Sequence, residues 1–352
     1  MNIVLDNIIY SIQKAGGISV VWNNLIENLL KSNENLHFIE YNGCNKNESR
    51  KELLLPEELI ENRDSSYMTL KRYMNCKYHN KEKFIFHSSY FRLCKSRNAI
   101  NITTVHDFTY DYFVNNPIVK NVHNLQMYSA IKGSDRVICI SENTKKDLLK
   151  FIPQVDEAKI DVVYNGVSSV FKRIDLLEKP AKEYVIFVGR RDKYKNFDKI
   201  IDPVRECGLK LLIVGNKLSP DEITLLQKKN CDFKYLGFVS DEELNRLYNN
   251  AYCLVYPSSY EGFGLPVIEA QKAGCPVIAY NGSSIPEIIG YNNFLLNSLD
   301  PKEITEKLQV LHNQEIRTQL INIGLENSKK FTWQEATQKY LKIYEKAWNE
   351  NS

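Results

Sequence analysis

Short apolar runs alternate with amphipathic stretches along the whole chain of 352 residues. Eleven of these runs are only four to six residues long and have the apolar content of buried β-strands. Strands that alternate with helical patterns predict βαβ units and parallel sheets. The predicted strands are Asn2–Leu5, Leu36–Tyr41, Lys83–His87, Asn101–His106, Arg136–Ser141, Ile160–Tyr164, Glu183–Val188, Leu209–Val214, Phe233–Leu236, Tyr252–Tyr256 and Pro276–Tyr280.

Eleven strands are too many for one ordinary doubly wound sheet, so the pattern predicts two α/β domains. The charged stretch 172–182 precedes a new strand and is the best candidate for the divide. We therefore place the first domain at 1–178 and the second at 179–332. The remaining residues, 333–352, predict a final helix whose apolar side chains need a surface to pack on.

Five helix starts in the second half read as capping boxes, in which a cap residue is followed three positions later by a glutamate. Such caps are structural, and we assign them no chemistry. The cap residues are Ser219, Ser240, Ser284, Asp300 and Thr332.

Composition excludes several classes of protein. The net charge of +3 is too small to indicate nucleic-acid binding. Eight scattered cysteines without a C-x-x-C pair argue against a disulfide scaffold or a zinc site and favour a reducing compartment. We find no secretory leader and no apolar stretch near the ~20 residues that span a bilayer. We expect a soluble cytoplasmic protein whose membrane contact, if any, is peripheral.

The segment EGFGLPVIE, from Glu261 to Glu269, is the richest in chemistry. Pro266 stands where a first helical residue should, so the segment predicts a loop that feeds a helix. The glycines at 262 and 264 let backbone N–H groups approach a ligand, and a helix N-terminus favours anions. These parts suit a sugar attached to a diphosphate. The alternative is a capped surface helix with two solvated acids.

Cations follow the strand that ends at Val188. They are Arg190, Arg191, Lys193 and Lys195, and they would lie at a strand's carboxyl edge. Such side chains suit a diphosphate leaving group, although a solvated basic loop is the alternative. We find no Asp-x-Asp pair to hold a divalent ion on a nucleotide diphosphate. We therefore expect no cofactor and no required metal, with cations and amides in the role of Mg²⁺.

Three features of the first half are weaker candidates. Gly16-Gly17 precedes a helix and could approach a phosphate or a sugar, or be only a turn. His106, followed by Asp107, ends a predicted strand, at the edge where open parallel sheets bind ligands. A loop histidine satisfied by a nearby carbonyl is an equal alternative. His87 ends another strand and is a weaker candidate of the same kind.

Residues 65–100 are strongly basic, with eight lysines and arginines against the single acid Glu82. Tyrosines and Met74 are interleaved with them. The segment could contact anionic lipid or a pyrophosphate-linked acceptor, or be an ordinary solvated surface. The basic residues are Lys71, Arg72, Lys77, Lys81, Lys83, Arg92, Lys95 and Arg97.

Together these segments resemble glycosyltransferase family four, the retaining GT-B enzymes, and in particular bacterial enzymes that build O-antigen or capsule with mannose. The resemblance covers almost the whole chain in the family's order, and the E-x7-E element is its most specific part. The matching motifs are GGIS, HD at 106–107, SENTKKDL, VVYNGV, VGRRDKYKN, LGFVSDEELNRLYNNAYCLVYPS, EGFGLPVIEAQKAGCPVIA and GSSIPEIIG.

The resemblance implies a fold of two Rossmann-like domains facing across a cleft. The first would bind the acceptor and the second the nucleotide sugar, with the last helix crossing back to the first domain. The family often has one arginine after the Val-Gly pair, and here Arg190 and Arg191 compete. Gln271-Lys272 also departs from the small apolar residues usual there.

The resemblance also implies site roles. His106 and Glu261 would contact the donor sugar, and so would the backbone amides of Gly262, Phe263 and Gly264. Leu265, which follows them, would also belong to the donor-binding residues. Glu269 would accept from the ribose hydroxyls. Either arginine, with Lys195, would hold the diphosphate under the Gly16-Gly17 loop. Phe238 and Val239 would border the nucleobase.

We expect a hexosyltransferase that retains the anomeric configuration and moves a hexose, most simply mannose from GDP-mannose, to a glycan or polyprenyl-diphosphate-linked acceptor. It would act in surface-polysaccharide synthesis, at the inner face of the plasma membrane or free in the cytoplasm, and would bind no nucleic acid. The alternatives are a UDP-sugar-dependent enzyme of the same fold, a sugar-nucleotide epimerase, and a non-catalytic nucleotide or glycan binder.

Overall fold

Twelve β-strands are present in the computed structural model, which describes residues 1–174 and 183–351. All eleven strands predicted from the sequence are among them, with ends shifted by a few residues. The strands are β1 Asn2–Asp6, β2 Asn35–Tyr41, β3 Ile60–Arg63, β4 Phe84–Ser88, β5 Ala99–Val105, β6 Arg136–Cys139, β7 Ile160–Val162, β8 Tyr184–Val188, β9 Lys210–Val214, β10 Phe233–Gly237, β11 Cys253–Tyr256 and β12 Val277–Ala279.

Helices connect the strands in both halves of the chain. Short 3-10 turns lie at Cys44–Lys46, Glu57–Leu59, Glu157–Lys159, Lys193–Lys195 and Phe197–Ile200. The α-helices are α1 Ile9–Ile12, α2 Gly17–Leu29, α3 Glu48–Glu52, α4 Met68–Lys71, α5 Thr109–Phe113, α6 Pro117–Gly133, α7 Glu142–Phe151, α8 Ile201–Glu206, α9 Pro220–Lys228, α10 Asp241–Asn250, α11 Leu265–Lys272, α12 Ile285–Ile288, α13 Pro301–Val310, α14 Gln314–Ser328 and α15 Trp333–Glu350.

The chain divides into two compact units. Unit 1 comprises Met1–Gly166 together with Trp333–Ser352, and unit 2 comprises Val167–Thr332. The domain boundary predicted between residues 178 and 179 lies outside the described residues.

The sheet of unit 1 has seven parallel strands in the order β3-β2-β1-β4-β5-β6-β7. The order reverses between β1 and β4, and ligands of open parallel sheets bind at such switch points. The sequence missed β3 because Ile60–Arg63 reads IENR, with one apolar residue and no alternation. It pairs with β2 on one side only, and an edge strand needs no apolar run.

Helix α15 belongs to unit 1 and packs against α2, β4 and β5. Its buried residues include Tyr340, Ile343, Tyr344 and Ala347, at the helical spacing seen in the sequence. At its far end, Lys83 Nζ donates to the carbonyl of Trp348 at 2.8 Å. The last helix therefore completes the core of the unit that contains the first strand.

The sheet of unit 2 has five parallel strands in the order β10-β9-β8-β11-β12. The predicted capping box at Ser219 is confirmed, with both of its hydrogen bonds present. The one predicted at Ser284 is wrong, since Ser284 has helical backbone angles and makes no side-chain cap to the helix. Its hydroxyl is used elsewhere, in the loop that contains Glu261.

Candidate functional site

Helix α11 begins in unit 2 at Leu265, one residue before the predicted start at Pro266. Its N-cap, Gly264, has φ +102, and a Cβ there would lie 2.8 Å from Ile285 Cδ1. Only glycine tolerates both the left-handed backbone and this close approach. The predicted loop-to-helix segment is thus confirmed, and it directs the first amides of α11 out of the loop.

The C-terminus of α11 is closed by a Schellman motif. The amide of Cys275 donates to the carbonyl of Ala270 at 2.8 Å, and that of Gly274 to Gln271 at 3.0 Å. Gly274 takes the left-handed backbone that this motif needs, with φ +73. The helix is therefore fixed at both ends, which gives its N-terminus a defined position.

Lys195 and Glu261 form an ion pair with 2.5 Å between Nζ and Oε1. Both side chains are largely buried, at 14% and 12% exposed. The ammonium lies 5.2 Å from the ring centre of Tyr194 and 5.5 Å from that of Tyr256. Aromatic faces and low exposure strengthen the electrostatic interactions of this lysine.

Asn196 connects the lysine loop to the segment before Glu261. It has a left-handed backbone with φ +51, which asparagine tolerates better than most residues. Its amide Nδ2 donates to the carbonyls of Tyr194 and Pro257, each at 2.9 Å, and to Ser259 Oγ at 2.7 Å. These bonds hold Lys195 at a fixed distance from Glu261.

Two serines secure the loop that carries Glu261. The amide of Glu261 donates to Ser283 Oγ at 2.8 Å. The buried hydroxyl of Ser284 donates to the carbonyls of Glu261 and Phe263, at 3.0 and 2.8 Å. The Phe263 ring packs edge-on against Phe331, so its side chain anchors the loop in the core of unit 2.

The two arginines after β8 have different roles. Arg191 is only 4% exposed, and its guanidinium donates to Glu222 at 2.7 Å and to the carbonyls of Asn216 and Lys217 at 2.6 and 2.9 Å. Arg190 is 70% exposed and, within the part of the chain that the structure describes, its ion pair is with the neighbouring Asp192. Arg191 therefore joins neighbouring loops, whereas the exposed guanidinium of Arg190 can reach an anion.

Glu269 lies half-buried in the second turn of α11. Burial raises the pKa of its carboxyl to about 8, the charge of Asp241 adds to this, and a hydrogen bond from Tyr248 opposes it. The Tyr248 hydroxyl donates to Oε2 at 3.2 Å. The carboxyl expected to accept from ribose hydroxyls is thus mostly protonated in the free protein at neutral pH.

Glycine backbone is present at the ends of β8 and β9. Gly189 and Gly215 both have positive φ, and a Cβ on Gly215 would lie 2.6 Å from the Gly189 carbonyl oxygen. After β10, Phe238 is 70% exposed, and Val239 is partly buried. An exposed aromatic face at a strand's carboxyl edge suits stacking on a planar base.

The candidate residues of unit 1 form a separate group. A Cβ on Gly17 would meet nothing within 4 Å, so ligand atoms can approach this backbone at the start of α2, next to Gly16. Burial lowers the pKa of His106 to about 4, against the charge of Asp107, so its imidazole is neutral at pH 7. Its contact with a donor sugar stays a prediction.

The weaker histidine candidate, His87, is part of the core of unit 1. It is fully buried, with Nδ1 at 2.6 Å from the Tyr344 hydroxyl and Nε2 at 2.9 Å from Thr104 Oγ1. Trp22 packs edge-on against its ring. Its role is to join β4 to α15, and the sequence could not show this because Tyr344 is 257 residues away.

Two family models match almost the whole chain between them. The model for glycosyltransferase family 4 matches residues 15–170, and that for group 1 glycosyl transferases matches residues 168–327. The chain belongs to glycosyltransferase family 4. The resemblance predicted from the motifs is confirmed.

Relatives of this family-four chain include O-antigen enzymes. The O-antigen chain mannosyltransferase RfbU of Salmonella typhimurium is 32% identical over 208 residues, 56% of this chain and 57% of that protein. O-antigen chain mannosyltransferase B of Escherichia coli is 30% identical over 46% of this chain and 45% of its own length. The uncharacterized glycosyltransferase MJ1178 of Methanocaldococcus jannaschii is 31% identical over 61% of each chain. The chain thus spans 45% to 61% of these relatives.

Solved structures with this fold match the family-four chain over nearly its whole length. Sucrose-phosphate synthase from Thermosynechococcus elongatus has a TM-score of 0.74 at 18% identity, covering 99% of this chain and 100% of that one. WaaG, a glycosyltransferase involved in lipopolysaccharide biosynthesis, has a TM-score of 0.70 at 12% identity, covering 97% and 99%. These likenesses confirm the predicted fold class, with two Rossmann-like domains of the GT-B kind.

Three residues of the family-four site were missed by sequence reasoning, namely Asn196, Ser283 and Ser284. Ser283 has φ +46, which is unusual for a serine and marks a backbone held by its surroundings. The sequence GSSIPE predicts a helix cap at Ser284, although two adjacent serines shortly before a proline also fit a turn.

Among the described residues, no helix combines the length and the apolar character that crossing a bilayer requires.

Proposed function

We propose that this chain transfers a hexose, most simply mannose from GDP-mannose, to a lipid-linked or oligosaccharide acceptor in surface-polysaccharide synthesis, with retention at the anomeric carbon. The observation that carries the proposal is the pair of Lys195 and Glu261, held beside the N-terminus of α11. The O-antigen mannosyltransferases among the relatives, at about 30% identity, support the choice of mannose.

The donor diphosphate would bind where positive charge and free amides meet. Arg190 and Lys195 would neutralise the diphosphate, and the first turn of α11 would add its dipole. Glu261 would turn from the ammonium toward hydroxyls of the sugar, leaving Lys195 to the phosphate. Phe238 and Val239 would border the base, and Glu269 would bind the ribose. Arg191 keeps its structural role, so we assign it no contact with the donor.

The reaction would break the bond between the anomeric carbon and the phosphate oxygen. The acceptor oxygen would form its bond on the same face, and its proton would pass to the departing phosphate. The nucleoside diphosphate leaves with the bonding electron pair, and positive side chains stabilise that charge. Because these groups lie on the chain itself, we expect activity to survive removal of divalent ions by EDTA.

Lys195→Ala tests the proposal directly. Since one charge-stabilising group contributes roughly a hundredfold or more to kcat, we expect a loss of that size with an unchanged circular-dichroism spectrum. Lys199→Ala, in the same segment and 45% exposed, is the matched control and should keep its activity. Near-normal turnover of Lys195→Ala would remove this lysine from the mechanism.

Donor choice and reaction type are separated by one assay series. Thermal shifts with GDP- and UDP-sugars show which donor stabilises the protein. Nucleotide release that requires an acceptor indicates transfer and argues against an epimerase. A donor that binds without release, with any acceptor, would indicate a non-catalytic binder. The anomeric configuration of the product, measured by NMR, tests retention.

A further inference from the structure

Exposed apolar side chains are concentrated in one part of unit 1. Ten of the sixteen large hydrophobic residues that stand exposed in the described chain lie within residues 67–74 and 112–125. Single exposed hydrophobics are normal, whereas a cluster of this kind marks an interaction site. They are Tyr67, Leu70, Tyr73, Met74, Tyr112, Phe113, Ile118, Val119, Val122 and Leu125.

The second stretch includes the solvent side of α6. Ile118, Val122 and Leu125 recur at positions i, i+4 and i+7 and are 74%, 44% and 75% exposed. The other side of the same helix buries Met127 and Ile131 in the core of unit 1. A surface helix ordinarily places polar residues on its outer side, so the outer side of α6 is suited to contact with another apolar phase.

The two stretches adjoin each other. Gln126 of α6 donates from Nε2 to the carbonyls of Arg72 and of Phe91, the latter at 3.0 Å. The guanidinium of Arg72 lies 5.1 Å from the ring centre of Tyr73. We call the surface formed by residues 67–74 and 112–125 the apolar–basic face.

The backbone holds one aromatic of this face outward at a cost. Tyr67 has φ +58, a left-handed conformation that costs a residue with a Cβ about 1 kcal/mol or more. Its side chain is nevertheless 77% exposed, so packing within unit 1 does not repay the strain. Strain kept without a packing gain is typical of a functional position.

Positive charge surrounds these residues. Residues 65–133 contain ten lysines and arginines against three acids, while the whole chain has a net charge of only +3. Not all of the predicted basic segment takes part, since Arg92 is buried against Asp6 and Lys83 bonds to α15. Lys77 and Lys95 are exposed, and a backbone bond from Cys76 to Leu93 brings their segments together.

We propose that the apolar–basic face docks unit 1 onto a bilayer that contains anionic lipid. Apolar side chains of the face would enter the interfacial layer, while exposed lysines and arginines of the neighbouring segments would meet the headgroups. The inference rests on the proposed function in one respect, since a lipid-linked acceptor would explain why the protein docks on a bilayer. The binding itself can be measured without any donor.

The experiment uses the full chain and vesicles of phosphatidylcholine with or without one-third phosphatidylglycerol. We expect the protein to float with the anionic vesicles and to be released by salt. Ile118→Gln combined with Leu125→Gln should weaken partitioning roughly tenfold or more. Lys77→Glu combined with Lys95→Glu, at two exposed lysines of the segments next to the face, should weaken it by a similar factor, and only on the anionic vesicles. These two double variants are the face variants.

Val310→Gln combined with Ile323→Gln is the matched control, because these exposed residues of unit 2 lie outside the face, and partitioning should not change. Binding of the face variants at the wild-type level would overturn the proposal, as would a wild type that floats with neither vesicle. A wild-type dimer that the face variants dissociate, seen by light scattering, would show instead that a second copy covers the face.

Failure of docking and failure of the proposed function are distinguishable. The face variants should keep wild-type transfer to a water-soluble acceptor, because none of their residues belongs to the donor site. Loss of vesicle binding with intact transfer supports a role for the face in docking alone. Intact vesicle binding without any transfer would contradict the proposed function and leave the docking inference standing.

Discussion

The protonation state of Glu269 controls how this side chain can bind a sugar. Its carboxyl is half-buried in α11 and faces Tyr248 and Asp241. A carboxylate accepts hydrogen bonds on both oxygens, whereas the neutral acid must donate one of its own. Because the pKa is raised to about 8, the free protein holds mainly the neutral form at pH 7. Binding of two ribose hydroxyls therefore favours release of a proton.

Donor affinity should depend on pH through this residue. If the bound state needs the carboxylate, affinity rises as pH increases toward the pKa, by roughly tenfold between pH 6.5 and pH 8. Isothermal titration with the nucleotide donor at several pH values measures this dependence. Glu269→Gln, which cannot ionise, should bind more weakly and show a flat profile. A wild-type affinity independent of pH would contradict the assigned role.

The neighbouring Arg190 and Arg191 show what a linear sequence leaves undecided. Both follow β8, and the sequence correctly places both at the carboxyl edge of the sheet. The choice between them depends on Glu222, which lies 31 residues further along and pairs with Arg191. That pairing depends on how loops from adjacent strands meet, so local pattern could not predict it.

At the level of elements, the loop from Glu261 to Gly264 is held by residues from three other segments. Ser283 and Ser284 come from the turn after β12, Lys195 from the turn after β8, and Phe331 from the residues after α14. A loop fixed in this way presents its amides in one arrangement, and such preorganisation is what electrostatic catalysis requires.

Ser284→Ala should loosen this arrangement without removing any group that contacts the donor. The buried carbonyl of Phe263 and the partly buried carbonyl of Glu261 would lose their donor, at a cost of about 1–3 kcal/mol in the stability of unit 2. A displaced loop should lower kcat/KM by roughly tenfold or more. Thr318→Ala, which removes an exposed hydroxyl bonded to its own helix, is the control. Normal kinetics in Ser284→Ala would show that the loop holds its shape unaided.

The sequence pattern predicted the strands and helices better than it predicted the side-chain contacts between them. Eleven of the twelve strands in the described residues could be predicted, because buried parallel strands are short apolar runs between helices. The strand that was missed, β3, lies at a sheet edge and is polar. The N-terminus of α11 was located to within one residue because Gly264 and Pro266 are local signals. Asn196 and Ser283 were missed because their partners are distant in sequence.

At the scale of the whole molecule, the two ends of the chain belong to one unit. Strand β1 and helix α15 both contribute to the core of unit 1, while unit 2 is formed by the continuous stretch Val167–Thr332. All three tryptophans, Trp22, Trp333 and Trp348, lie in unit 1. Tryptophan emission therefore reports the unfolding of unit 1 alone, whereas far-ultraviolet circular dichroism reports both units.

Acid should destabilise unit 1 through His87. Burial lowers its pKa to about 3, with a smaller contribution from His106. Its ring contacts uncharged side chains of the described residues, namely Tyr344, Thr104, Trp22 and Tyr340. The ordinary pKa of about 6.5 applies in the unfolded chain, so between these values the unfolded state binds the extra proton. The contribution of His87 to the free energy of unfolding is therefore present above pH 6.5 and is lost as pH falls. The loss from this residue alone is about 2 kcal/mol between pH 7 and pH 5. His106, with its pKa lowered to about 4, adds to the same trend.

Urea unfolding followed by tryptophan emission at pH 7 and pH 5 measures this loss. His87→Gln should be less stable than wild type at pH 7, because the hydrogen bonds to Tyr344 and Thr104 are disturbed. Its stability should nevertheless fall less between the two pH values, since glutamine takes up no proton. His79→Asn, at an exposed position in the same unit, should keep the wild-type dependence. The change is expected because burial of a neutral imidazole opposes its protonation. If the stability of His87→Gln falls with pH as steeply as that of the wild type, the acid sensitivity of unit 1 comes from another group.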